Sequence, residues 1–243
     1  MPQLELIRVL GLATISFIIA LSVTPIVLRG LTRLNLRKRI RADENAPIFS
    51  QMHQKKAGTP TMGGVVIWGT TLFVAGALAF MAWLFDGFWG YLSFVDRAQT
   101  YLPLFAIGVA ALIGLVDDVL NILKIGPRGG GLKMRHKIIL YSLIGLVGAW
   151  WFYFRLDWDV LYVPFFGNVA VDWWYIPIFI FIMTASAFSA NETAGLDGLL
   201  GGVSLFAFAA LTVVAFALNR YDLAAFGGVV IGSLLAFLWF NIY

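Results

Sequence analysis

Residues 101–120, YLPLFAIGVAALIGLVDDVL, decide how this chain is read, because sixteen uncharged residues end abruptly in two adjacent acids, Asp117 and Asp118. A helix of about 20 apolar residues crosses the roughly 30 Å hydrocarbon core of a bilayer. Folded as one helix, the stretch places both carboxylates near its C-terminus, where the partial negative charge of the aligned peptide dipoles disfavours anions. An ionised carboxylate inside a spanning segment costs roughly 2.5–3.5 kcal/mol on insertion scales. Compensating cations must therefore lie close by: a metal ion, the basic residues that follow, or both.

The rest of the chain repeats the apolar theme. Of 243 residues, 60% are hydrophobic and only 12% are charged, which excludes a soluble globular domain. The expected fold is an all-α, polytopic transmembrane helical bundle, a single domain over 1–243. About seven spans are expected, at 6–28, 62–84, 101–120, 138–154, 174–189, 199–218 and 226–243. No cysteine is present, so disulfides and thiolate metal sites are excluded. Nothing calls for a nucleic-acid partner.

The net charge of +4 is informative because it is grouped. Arg29, Arg33, Arg37, Lys38, Arg39, Arg41, Lys55 and Lys56 separate the first two spans, and Lys124, Arg128, Lys133, Arg135 and Lys137 separate the third and fourth. The other side has Arg97, Arg155 and Arg220, with Arg8 near the N-terminus. By the positive-inside rule the two basic connections are cytoplasmic, the N-terminus is outside, and the acid pair faces the cytoplasm. A secretory leader is set aside, since the first apolar run is too long and leads straight into basic residues. The outer connections carry Trp83, Phe88, Trp89, Tyr91, Trp151, Trp158, Trp173 and Trp174, an interfacial aromatic belt. Their acids, Asp86, Asp96, Asp157, Asp159 and Asp172, are expected to be solvated.

The cytoplasmic side carries the chemistry. In its first connection, Thr59 before Pro60 has the pattern of a helix start, a capping hydroxyl followed by proline at the first helical position. Such an N-terminus offers free N–H groups to an anion, with Lys56 just before it. Gly63 and Gly64 suit close helix packing or close approach of a ligand. The acid pair is followed by a glycine-rich run, 126–131, which lacks the spacing of a phosphate-binding motif and is expected to be a mobile loop. The third connection, 191–198, holds Asn191, Glu192 and Asp197 and no basic residue. Asp197 suits a helix cap. Two readings of the acid pair stand side by side: a salt bridge to the basic loop, and a hard-metal or phosphate site, since magnesium takes one or two carboxylates together with substrate phosphates and water.

The runs 56–64 (KAGTPTMGG), 114–118 (GLVDD) and 191–199 (NETAGLDGL) resemble, in order and on one face, the signature motifs of the phospho-N-acetylmuramoyl-pentapeptide transferase (MraY) family. The resemblance implies transfer of phospho-MurNAc-pentapeptide from its UDP carrier to undecaprenyl phosphate with Mg2+, releasing UMP. This is the first membrane step of peptidoglycan synthesis. It implies catalytic and metal-linked roles for Asp117 and Asp118, and a nucleotide-sugar site at Lys56, Thr59, Asn191 and Asp197. Membrane lipid is a partner, and a homodimer is compatible with the family. A related polyprenyl-phosphate sugar-phosphate transferase and a non-catalytic binder of lipid phosphates are the alternatives. Asn121 and Ala194 stand where the family commonly has lysine and aspartate. Family members have about ten spans, so the chain is expected to be an N-terminal portion, with a further aspartate and a histidine-rich loop beyond Tyr243.

Overall fold

The computed structural model describes residues 2–33, 62–85, 87–96, 99–126, 130–163, 165–193 and 198–241. Among these, seven helices are long and apolar enough to cross a membrane. We label the helical elements α1 (Pro2–Arg33), α2 (Val65–Leu84), the short α3 (Phe88–Leu92), α4 (Tyr101–Leu123), α5 (Met134–Arg155), α6 (Tyr175–Thr193), α7 (Leu199–Ala217) and α8 (Tyr221–Asn241). A 3-10 turn, Asp172–Trp174, leads into α6. Between α5 and α6 lies an antiparallel hairpin, β1 (Val160–Val163) with β2 (Gly167–Ala170), in the register Val160↔Ala170 to Val163↔Gly167. The helical bundle matches the expected class. The hairpin is an addition that its short, exposed strands do not announce.

Helix α8 is the centre of the packing. Its buried residues include Ala224, Ala225, Gly227, Gly228, Val229, Val230, Gly232, Ser233 and Ala236, so it is narrow enough for other backbones to close on it. A Cβ on Gly228 would stand 3.0 Å from the Val9 carbonyl oxygen, and one on Gly232 would stand 2.9 Å from the Phe17 amide nitrogen of α1. Ser16 Oγ completes the seam by donating to the Val229 carbonyl at 2.7 Å. Around it, Val9, Leu12, Val74, Ala75, Phe94 and Ala215 form one core with Phe226, Val229, Val230 and Leu234. Phe94, in what reads as a wet outer connection, is fully buried here.

A second group, α5 against α6, packs through Gly145 and Gly148 onto Ile180 and Phe179, with Ser142 Oγ and Thr184 Oγ1 3.1 Å apart. Helix α4, which carries the acids, has no buried residue, as suits a span whose apolar surface faces lipid or further protein.

Most helices run longer than the expected spans: α1 covers Pro2–Arg33 against 6–28, α5 covers Met134–Arg155 against 138–154, and α4 and α6 end at Leu123 and Thr193 against 120 and 189. The second span begins at Val65 with Gly64 in the cap position, because Met62 at φ 69° breaks the helical path. Thr59 and Pro60, expected to supply a helix start, lie outside the described residues. Gly198 at φ 73°, not a side chain, occupies the cap position of α7. The last span starts at Tyr221, a turn or more before the expected 226. Asp96 is not merely solvated: its carboxylate accepts the Gln99 N–H at 3.0 Å, and its carbonyl accepts the Thr100 and Tyr101 N–H groups, which shapes the entry to α4.

Candidate functional site

Asp117 lies in the penultimate turn of α4, and both of its oxygens are engaged. Oδ2 is 2.8 Å from Lys137 Nζ, and Oδ1 accepts the Leu132 N–H at 2.7 Å. Both side chains are largely withdrawn from solvent, at 18% and 17% exposure, so the pair is screened less than a surface ion pair. Lys137 belongs to the first turns of α5, an end that disfavours a cation, just as the end of α4 disfavours an anion. Each charge offsets the other's unfavourable helix end. The salt-bridge reading of the acid pair is thus present in the structure for Asp117.

The loop between these helices is built to reach this position. Lys124, at φ 58°, ends α4 in the left-handed region, and Ile125 N–H donates back to the Leu120 carbonyl at 3.0 Å. The chain then turns so that Gly131 N–H donates to the Ile125 carbonyl at 3.1 Å. A Cβ on Gly131 would come within 3.0 Å of Asp117 Oδ1 and within 2.9 Å of Asn121 Nδ2, and φ is 87° there, so only glycine fits. The expected mobile loop is, in its described part, a folded turn laid against α4. Its glycines let the backbone bring Leu132 N–H onto the carboxylate. Asn121, the departure from the family pattern, lies under this turn.

Lys137 Nζ also stands 3.4 Å from Asn191 Oδ1 in the last turn of α6, and Asn191 Nδ2 stands 3.5 Å from Glu192 Oε1. One ammonium group thereby gathers the ends of three helices. Asp118 follows Asp117 on α4, half-buried, its side chain set about 100° round the helix axis. The two acids therefore do not share one face. Lys56, Thr59 and Asp197 lie outside the described residues. Lys137 belongs to the basic group recognised in sequence, but nothing there separates it from Lys133 or Arg135. The usable signal was a cation in the first turns of an apolar helix, which needs an acid partner.

Among the described residues, no group of three or more His, Cys, Asp or Glu side chains is placed to hold a metal. The oxygen donors present, Asp117, Asp118, Asn191 and Glu192, are of the kind magnesium takes. Too few of them converge to cage such an ion by protein alone.

Comparison with known proteins identifies the family. Residues 56–67 match phospho-N-acetylmuramoyl-pentapeptide-transferase signature 1, and residues 100–243 match glycosyl transferase family 4. The phospho-N-acetylmuramoyl-pentapeptide-transferase of Anoxybacillus flavithermus is 34% identical over 235 residues, covering 96% of this chain and 67% of the relative. That of Caldicellulosiruptor bescii is 32% identical, covering 93% of this chain and 64% of the relative. For Geobacillus thermodenitrificans the values are 33%, 98% and 68%. The chain thus spans about two thirds of the length of these relatives. With identity spread along nearly the whole chain and the signature falling where α2 begins, this multi-pass membrane protein belongs to the phospho-N-acetylmuramoyl-pentapeptide-transferase family.

Proposed function

We propose that this chain contributes the acid pair to a site that transfers phospho-MurNAc-pentapeptide from UDP to undecaprenyl phosphate at the cytoplasmic face of the bacterial inner membrane. The observation that carries the reading is the Lys137 ammonium held between Asp117 and Asn191. An anionic carboxylate, a cation and an amide are thereby fixed on three helix ends at the membrane boundary. In the reaction, an oxygen of the lipid phosphate attacks the β-phosphorus of the UDP-sugar, the new P–O–P bond forms, and the bond to the UMP oxygen breaks. The second pKa of a phosphate monoester is about 6, so near neutral pH the attacking oxygen is largely deprotonated already. A strong general base is unnecessary. The work left to the protein is positioning and charge stabilisation.

Asp117, beside Asn191, would hold magnesium together with substrate phosphate and water, and Asp118 is assigned to the ion on the strength of the motif alone; bound magnesium would offset phosphate charge. Lys137 fixes the direction of the Asp117 carboxylate. Lys56, Thr59 and Asp197 are assigned to the nucleotide-sugar side of the site on the strength of the motifs alone.

The test is UMP release by the full-length protein in nanodiscs, with undecaprenyl phosphate, UDP-MurNAc-pentapeptide and magnesium. Turnover that drops by about 100-fold or more in Asp117→Asn, with the fold retained, supports the assignment. Undiminished turnover in that variant, or none in the parent protein, removes it. In the second case, magnesium-independent binding of undecaprenyl phosphate would mark the chain as a non-catalytic lipid-phosphate binder.

A further inference from the structure

The hairpin between α5 and α6 has no role in the site at the other end of the bundle, yet among the described residues it carries the most exposed aromatic side chains. Residues 160–171, VLYVPFFGNVAV, contain no charge, while Asp157, Asp159 and Asp172 stand at the two ends of the segment. Phe165 is fully exposed, with Phe166 at 82% and Tyr162 at 73%. None of the strand residues is buried. A two-stranded hairpin with neither face covered is marginal in water, so this one needs an apolar phase to lie against.

That phase is within reach. The hairpin root is tied to the ends of two spans: Trp158 N–H donates to the Phe152 carbonyl at 3.0 Å, and the N–H groups of Val171 and Asp172 both donate to the Asp159 carbonyl, at 2.8 and 3.1 Å. Beside the root, the exposed rings of Trp173 and Trp174 stack at 4.5 Å, and Arg155 lies over Trp150, side chains of the kind that sit at the headgroup level. Four-residue strands extend only about 13 Å, so the tip cannot leave the neighbourhood of the membrane surface. Phe165 occupies the left-handed region at φ 72°, where glycine or asparagine is the usual residue. An aromatic ring is thus held outward at a backbone cost that water contact does not offset.

We propose that the hairpin tip, Tyr162, Val163, Phe165 and Phe166, is a lipid anchor that beds into the interface of the leaflet opposite the acid pair, with the three aspartates left in water. A protein partner would call for charged or directional polar groups to specify it, and segment 160–171 offers little beyond Asn168.

Because residues 1–243 contain no cysteine, single cysteines placed among them can be spin-labelled once any cysteine elsewhere in the full-length protein is replaced by serine. The full-length protein, reconstituted in phosphatidylcholine–phosphatidylglycerol vesicles, is labelled at Phe166→Cys or Tyr162→Cys, with Asp157→Cys as the aqueous reference. The anchor predicts that labels at 162 and 166 collide with oxygen several-fold more, and with a water-soluble nickel chelate several-fold less, than the label at 157. Phe165→Gly, which relaxes the turn while removing the ring, should make the label at 162 more accessible to nickel. Tip labels as open to nickel as the reference overturn the proposal. So do tip labels protected only in native membranes and not in protein-free vesicles, since they would point to a protein partner.

Discussion

Asp117 and Lys137 face each other across a loop that only glycine could close, and the consequences are testable one residue at a time. Lys137→Ala should lower turnover by about 10- to 100-fold, the usual effect of losing a group that orients a ligand side chain. The measurement is UMP release at saturating substrate, and Lys137→Arg should recover only part of it because the planar guanidinium cannot occupy the same point. Gly131→Ala should cost on the order of 1–3 kcal/mol through its positive φ and its closeness to Asn121, and should also displace Leu132 N–H from Asp117. Thermal unfolding together with turnover checks both effects. The acids were legible in sequence because charge inside an apolar run is costly. Lys137 was not singled out, because five basic residues follow Asp118 before the fourth span and only the folded loop selects one of them.

At the scale of elements, the two ends of the bundle are pinned by different means. Opposite the acid pair, Arg8 of α1 is buried at 7% exposure, with Nη2 donating to Asp222 Oδ1 at 2.6 Å and to the Ser93 carbonyl at 2.8 Å. Its Nη1 donates to Glu5 Oε2 at 3.1 Å, and its guanidinium lies 5.2 Å from the centre of the Tyr91 ring. This one side chain joins α1, α8 and the connection after α3. Arg8→Ala should destabilise the protein by about 2 kcal/mol, below the 3–5 typical of a fully buried pair because Asp222 is 29% exposed. A melting temperature unchanged from the parent would show that the cluster holds nothing. Gly232→Val in α8 should cost about 1–3 kcal/mol or more by driving a side chain into the backbone of α1, with no direct effect on the acid site. The sequence places Arg8 as an outer-side charge; its burial depends on partners more than 80 residues away, which no local pattern encodes.

For the whole molecule, the spans alternate in direction, so that the ends meeting at Lys137 and those meeting at Arg8 lie on opposite sides. If the basic connections face the cytoplasm, a cysteine in place of exposed Lys124 should be reached by an impermeant maleimide only after cells are opened. A cysteine at exposed Asp157 should be reached in intact spheroplasts. The opposite pattern would reverse the assigned topology. Magnesium should behave as a substrate-dependent ligand: chelation should stop UMP release while leaving the melting temperature of substrate-free protein unchanged. The described side chains provide too few convergent carboxylates for a tight resident ion.

By itself, the sequence determined the class of the protein and the chemistry on offer. Apolar runs of membrane length can fold only as spanning helices, grouped basic residues bias their orientation, and three polar motifs recur in the family's order. Only the tertiary structure decided which residues meet. Helix α8 became the centre because its small residues admit α1 at backbone distance, Lys137 became the partner of Asp117 because a glycine turn folds back over α4, and Arg8 became a buried clasp. Hydropathy acts locally and can be read one window at a time. Charge pairing and backbone approach are relations between segments, settled only when helices distant in sequence close on one another.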